Sequence, residues 1–84
     1  MTVTLYSQDN CQPCKATKRA LEKSQVPYVE KNISQDEAAR RALVDAGFRS
    51  APVVTVERPN YETESWSGFD PARIQILALA IRAA

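Results

Sequence analysis

TVTLYSQDNCQPCKATKRALEKS, residues 2–24, is the stretch that decides the fold. Thr2 to Tyr6 alternate polar and apolar side chains, with Val3 and Leu5 on one face, the pattern of a short strand. A polar turn, SQDN, leads into Cys11. From Cys11 to about Ser24, Cys14, Thr17, Ala20 and Leu21 recur at three- and four-residue steps while Lys and Arg take the other side, which predicts a helix. Pro13 fits only in its first turn, where a missing N–H costs nothing. Cys11 and Cys14 therefore straddle a helix start.

Pro27 closes this helix and Tyr28 to Ile33 reads as a second strand. Ser34 with Glu37 forms a capping box, and Ala39, Ala42, Leu43 and Ala46 supply the apolar stripe of a second helix. Gly47 stops it, where a left-handed residue is needed. VVTVE after Ala51-Pro52 is a third strand, and Tyr61 to Trp66 a fourth, paired with the third through the loop around Pro59. The charged loop from Glu57 to Ser65 carries no readable role. Asp70-Pro71 starts a last helix, whose buried stripe is Ile74, Leu77, Ala78 and Ile81. The order β-α-β-α-β-β-α predicts an α/β fold in which helices flank a mixed four-stranded sheet. The first β-α-β unit should be a right-handed parallel crossover and the last two strands an antiparallel hairpin.

A chain of 84 residues predicts one domain over 1–84, with a small core that buries about 60–65% of the unfolded surface. Eleven basic against ten acidic residues leave a net charge of +1, which argues against a nucleic-acid or anionic-membrane surface. The longest apolar run, Ile76 to Ile81, is too short to cross a bilayer, and the amino terminus lacks the pattern of a secretion signal. Histidine is absent, which removes His-based catalysis and His-rich metal sites.

The two cysteines carry the functional reading. A disulfide closing so short a loop gains little stability, and a secreted mini-protein would carry four to eight cysteines. Zinc wants four protein ligands, and this chain offers two. Reversible thiol chemistry in a reducing, cytoplasmic setting is the main reading; a metal-bridged dimer, zinc or iron–sulfur, is the alternative of another class. Only a thiolate attacks a disulfide, and unpaired N–H groups at a helix start favour the anion. Cys11, at the open end, is the expected nucleophile. Cys14, one turn inside and more buried, is the expected resolving thiol, within reach to form a Cys11–Cys14 disulfide. Pro52 marks a loop-to-strand boundary or a cis Ala51–Pro52 bond presenting backbone groups to an extended peptide; cis occurs in only about 5–6% of such bonds.

Cys-x-x-Cys after the first strand, Ala51-Pro52-Val53 before the third, and Trp66-Ser67-Gly68-Phe69 before the last helix together resemble the NrdH-type redoxins, glutaredoxin-like proteins of the thioredoxin fold. The resemblance spans essentially the whole chain. It implies a dithiol electron donor, without bound cofactor or metal, to the large subunit of class Ib ribonucleotide reductase. It also implies recycling by thioredoxin reductase and NADPH rather than by glutathione, with Cys11 attacking, Cys14 resolving and Pro52 cis. Ser67, Gly68 and Phe69 fall where glutathione-using members carry Gly-Gly and an acidic residue, so the tripeptide pocket reads as degraded. A glutathione- or mycothiol-dependent reductase is the runner-up. Trp66 and Phe69 are open to core packing or to partner docking. The Gln12-Pro13 pair departs from the family's usual residues and resembles thioredoxin's Gly-Pro, which implies a potential nearer about −270 mV than about −200 mV. Lys15, Lys18 and Arg19 read as a solvated face, and a monomer is expected.

Overall fold

The computed structural model describes residues 1–83; Ala84, the last residue of the expected domain, lies outside them. The elements run β1 (Thr2–Ser7), α1 (Gln12–Lys23), β2 (Val29–Asn32), α2 (Glu37–Asp45), β3 (Val53–Glu57), β4 (Glu64–Ser67) and α3 (Pro71–Ala83). The sheet order is β2-β1-β3-β4. β1 and β2 pair in parallel, whereas β3 runs antiparallel to both β1 and β4. This is the expected element order and mixed sheet.

Alternation along the strands sends Val3 and Leu5 of β1, Val54 and Val56 of β3, and Trp66 of β4 to one face. There they meet Leu21 of α1 and Ile74, Leu77 and Ala78 of α3 in a single core. Thr4 and Val53 point the other way and are buried as well. Ala39 and Leu43, the buried residues of α2, lie outside the α1–α3 core, which leaves α2 as the helix for that opposite face.

Four local expectations are corrected. Helix α2 is capped by Asp36, whose carboxylate accepts the Ala39 N–H at 3.0 Å, and not by Ser34. The Ser34 hydroxyl is engaged elsewhere, accepting the Asp9 N–H at 3.0 Å. Ala42 and Ala46 are exposed, so the buried stripe of this short helix narrows to the i, i+4 pair Ala39 and Leu43. Helix α1 ends with Ser24 as its C-cap, where it was expected to end, but Pro27 is not what closes it: Gln25 takes φ 58°, and the Val26 N–H bonds the Leu21 carbonyl at 2.9 Å, the Schellman arrangement. Gly47 stops α2 in the same way, with φ 92° and a bond from the Phe48 N–H to the Leu43 carbonyl. Strand β4 starts at Glu64 rather than at Tyr61, because residues 58–61 are spent on the turn. There the Tyr61 N–H bonds the Arg58 carbonyl, and the Tyr61 ring lies in solvent against the Arg58 guanidinium.

Candidate redox site

The sheet register gathers the site at one end. Asn32 of β2 faces Ser7 at the end of β1, Tyr6 faces Val53 at the start of β3, and Val53 faces Ser67 at the end of β4. The segments leaving this row are residues 8–11, Pro52 and Gly68. Pro52 is fully buried after a cis Ala51–Pro52 peptide bond, against the base-rate expectation and with the family one. Its carbonyl accepts the Gly68 N–H at 2.8 Å, which ties the Trp66–Phe69 segment to the proline loop. Gly68 has φ 81°, a conformation that an L side chain rarely adopts, and this is the physical need for glycine there.

Asn10 turns the chain with φ 56°, and Cys11 follows in an extended conformation as the N-cap of α1. Its Sγ accepts the Cys14 N–H at 3.1 Å. Sulfur thus takes the place that a Ser or Asp oxygen takes in an ordinary cap, among amides with no helical partner. Pro13 sits in the first turn, where no donor is lost, and its carbonyl takes the hydroxyl of the fully buried Thr17 at 2.8 Å. Cys11 and Cys14 are joined as a disulfide, with Cα atoms 5.2 Å apart. Both are buried, Cys11 6% and Cys14 3% exposed. The expected contrast between an open Cys11 and a covered Cys14 is therefore slight, because capping folds the Cys11 sulfur back over the helix start.

Beside Cys14 lies a cleft of about 180 Å³ that sequence reasoning missed, lined by Ser7, Asp9, Lys18, Glu30 and Asn32 among others. The Ser7 hydroxyl donates to Glu30 Oε2 at 2.7 Å, and Lys18 Nζ stands 2.8 Å from Glu30 Oε1. Asn32 Nδ2 donates to Asp9 Oδ1 at 2.9 Å, pinning the loop before Cys11 to β2. Lys18 is thus paired, not merely solvated. No local pattern could show this cluster, since β1, α1 and β2 each supply one of its members, Ser7, Lys18 and Glu30.

The bonds from Lys18, and then from Ser7, hold the Glu30 carboxyl below the usual glutamate range, with burial opposing. Because the folded pKa is the lower one, this stabilisation is complete above about pH 4.3 and is lost as pH falls through the folded value. Glu30→Gln should therefore destabilise the protein at pH 7, with the gap to the parent narrowing below about pH 4 in urea titrations. An equal gap at pH 7 and pH 3 would show that charge plays no part.

The remaining expected site residues divide. Ser67 and Phe69 are exposed, Phe69 at 44%, and Ala51 is half-buried, so these can meet a partner. Trp66 belongs to the core, 7% exposed, and the cavity it lines contains neither cysteine. Its structural part is packing. Among the described residues, no three His, Cys, Asp or Glu side chains stand together as a metal-holding group. No helix there is long and apolar enough to cross a membrane.

The glutaredoxin family model matches residues 3–58. The glutaredoxin-like protein NrdH of Escherichia coli K12 is 38% identical over 84 residues, covering 100% of this chain and 98% of its own. The chain belongs to the NrdH-type glutaredoxins. A second NrdH relative, from Lactococcus lactis subsp. cremoris, is 34% identical over 76 residues, covering 90% of this redoxin and 99% of its own length. Among solved structures, the E. coli NrdH-redoxin superimposes with a TM-score of 0.79 at 38% identity, over 92% of this redoxin and 95% of that chain. The thioredoxin-like protein BC3987 gives 0.79 at 31% identity, over 90% and 99%. The redoxin thus has the thioredoxin-like fold of the NrdH proteins, with Cys11 and Cys14 as its redox pair.

Proposed function

We propose that the protein is a dithiol–disulfide oxidoreductase, a single-domain carrier working in a reducing compartment, in which Cys11 attacks and Cys14 resolves. The Cys11 thiolate attacks a substrate disulfide, forming a Cys11–substrate mixed disulfide and expelling one substrate sulfur as a thiolate that takes a proton from water. Cys14 then gives up its proton and attacks Cys11 Sγ. The Cys11–Cys14 disulfide closes, the second substrate thiol leaves, and two electrons have passed to the substrate. The observation that carries this reading is the Cys14 N–H pointing at Cys11 Sγ from the first turn of α1. A donor placed there favours sulfur as an anion, both as attacking group and as leaving group.

The external reductant is thioredoxin reductase with NADPH, and the electron acceptor is the large subunit of class Ib ribonucleotide reductase. Two things support this. The E. coli relative is an NrdH-redoxin described by its thioredoxin-like activity profile. In this chain, the Gly68 N–H that could serve a bound tripeptide is already spent on the Pro52 carbonyl, and Phe69 fills the position of an acidic grip. Ala51, Ser67 and Phe69 are the partner-facing rim, with Pro52 beneath them.

The test is NADPH oxidation coupled to reduction of an oxidised protein substrate, with either thioredoxin reductase or glutathione and its reductase as electron source. Turnover with thioredoxin reductase should be at least about tenfold faster, the ratio that one missing charge-assisted contact to glutathione gives. Equal or faster turnover with glutathione would overturn the assignment of the reductant while leaving the dithiol chemistry standing.

A further inference from the structure

Thr17 is fully buried, and its hydroxyl donates to the Pro13 carbonyl at 2.8 Å. The α-helical pattern already directs the Thr17 N–H at that same carbonyl, so the hydroxyl is a second donor to it. A buried hydroxyl needs some partner, and the carbonyl one turn back is the usual choice. What sets this bond apart is the far side of the amide that receives it. The Pro13 carbonyl and the Cys14 N–H belong to one peptide unit, and that N–H points at Cys11 Sγ, 3.1 Å away.

The two bonds therefore form a chain from the Thr17 hydroxyl, through the Pro13–Cys14 amide, to the Cys11 sulfur. The peptide unit is planar, with its C=O and N–H pointing in opposite directions. A proton donated to the oxygen draws electron density out of the nitrogen, so the N–H on the other side becomes a stronger donor. Thr17, Cys11 and Cys14 are all buried, and away from water such polarisation is least screened.

We propose that Thr17 is a positioning residue for the redox reaction: its hydroxyl holds and polarises the Pro13–Cys14 amide, which makes Cys11 the more acidic thiol. Thr17 acts through the amide and keeps its own proton throughout. The inference rests on the reading of Cys11 as the attacking thiol and adds what tunes it. Asp9 of the loop before Cys11, Lys15 and Lys18 of α1 and Glu30 of β2 are the charged groups of the cleft beside Cys14. Substitution at Thr17 leaves all four in place, so a comparison of Thr17 variants isolates the hydroxyl.

The measurement is the rate of iodoacetamide alkylation of the reduced full chain against pH, with the modified cysteine identified by peptide mass. Thr17→Val and Thr17→Ala remove the hydroxyl, whereas Thr17→Ser keeps it and removes only the methyl. Two hydroxyl-free variants are needed because valine puts a methyl where a buried hydroxyl stood. In both, the ionisation constant of the Cys11 thiol should fall by about twofold or more, the loss of about a fifth of a charge-assisted hydrogen bond. Thr17→Ser should alkylate like the parent. A packing role gives a different order: Thr17→Ser and Thr17→Ala, which both lose the methyl, would shift together, and that result overturns the inference. Parent-like alkylation of Cys11 in either hydroxyl-free variant overturns it as well, and leaves Cys11 standing as the attacking thiol. Alkylation of Cys14 ahead of Cys11 in the parent removes the underlying reading, and the inference goes with it.

Discussion

Cys14→Ser should accumulate a stable mixed disulfide between Cys11 and its substrate protein, seen as a covalent adduct on non-reducing gels and dissolved by a small thiol. Cys11→Ser should form no adduct and lose disulfide-reductase turnover by at least about 10³-fold, the scale on which enzymes lose rate when their nucleophile is removed. The asymmetry follows from position. Only Cys11 occupies the N-cap, where its sulfur accepts an N–H from the first turn; Cys14 sits at the third helical residue and supplies that N–H. Both cysteines are buried in the disulfide form, so exposure does little to tell them apart, and the capping geometry carries the distinction. Normal turnover by Cys11→Ser, or a trapped adduct on Cys14, would reverse the roles.

Leu21→Ala should cost about 2–5 kcal/mol in denaturant unfolding, the range for emptying a buried leucine site. At roughly 0.05–0.15 kcal/mol per residue, a chain of this length has only about 4–13 kcal/mol to lose. The thermal midpoint should accordingly fall by at least about 10 °C. Leu21 is fully buried where α1 meets the sheet and α3, so its loss leaves a cavity that neither helix can close without leaving β1 and β3. Leu79→Ala on the outer side of α3, 61% exposed, is the control and should stay within about 0.5 kcal/mol of the parent. Similar losses for both would mean that stability does not reside in this core. Because α1 carries the redox pair at its start, Leu21→Ala also tests whether thiol placement depends on the packing further along the same helix.

What could be read in the residues was what neighbours in the chain decide among themselves. Val3 and Leu5 alternate, Pro13 tolerates only a first turn, Gly47 accepts a positive φ, and Asp70-Pro71 caps and starts a helix; each is a short-range preference that the fold respects. The misplaced boundaries are places where a local preference met a rival. Ser34 can cap a helix as well as Asp36 can, but its hydroxyl is taken by the Asp9 amide from the loop before the thiols. Tyr61 suits a strand by type, yet it falls in the turn that lets β4 pair with β3.

The element order, the core stripes of α1 and α3, and the placement of a thiol pair at a helix start are all legible in the residues, because periods of two and 3.6 residues are written into adjacent positions. Three contacts come from assembly of the whole fold: Glu30 and Lys18 meet beside Cys14, Trp66 faces α3 rather than the thiols, and the Gly68 amide is spent on Pro52. Those contacts depend on strand register. A one-residue slip of β2 would turn Glu30, and one of β4 would turn Trp66, to the other face, and register is fixed by the packing of the whole sheet rather than by any short segment.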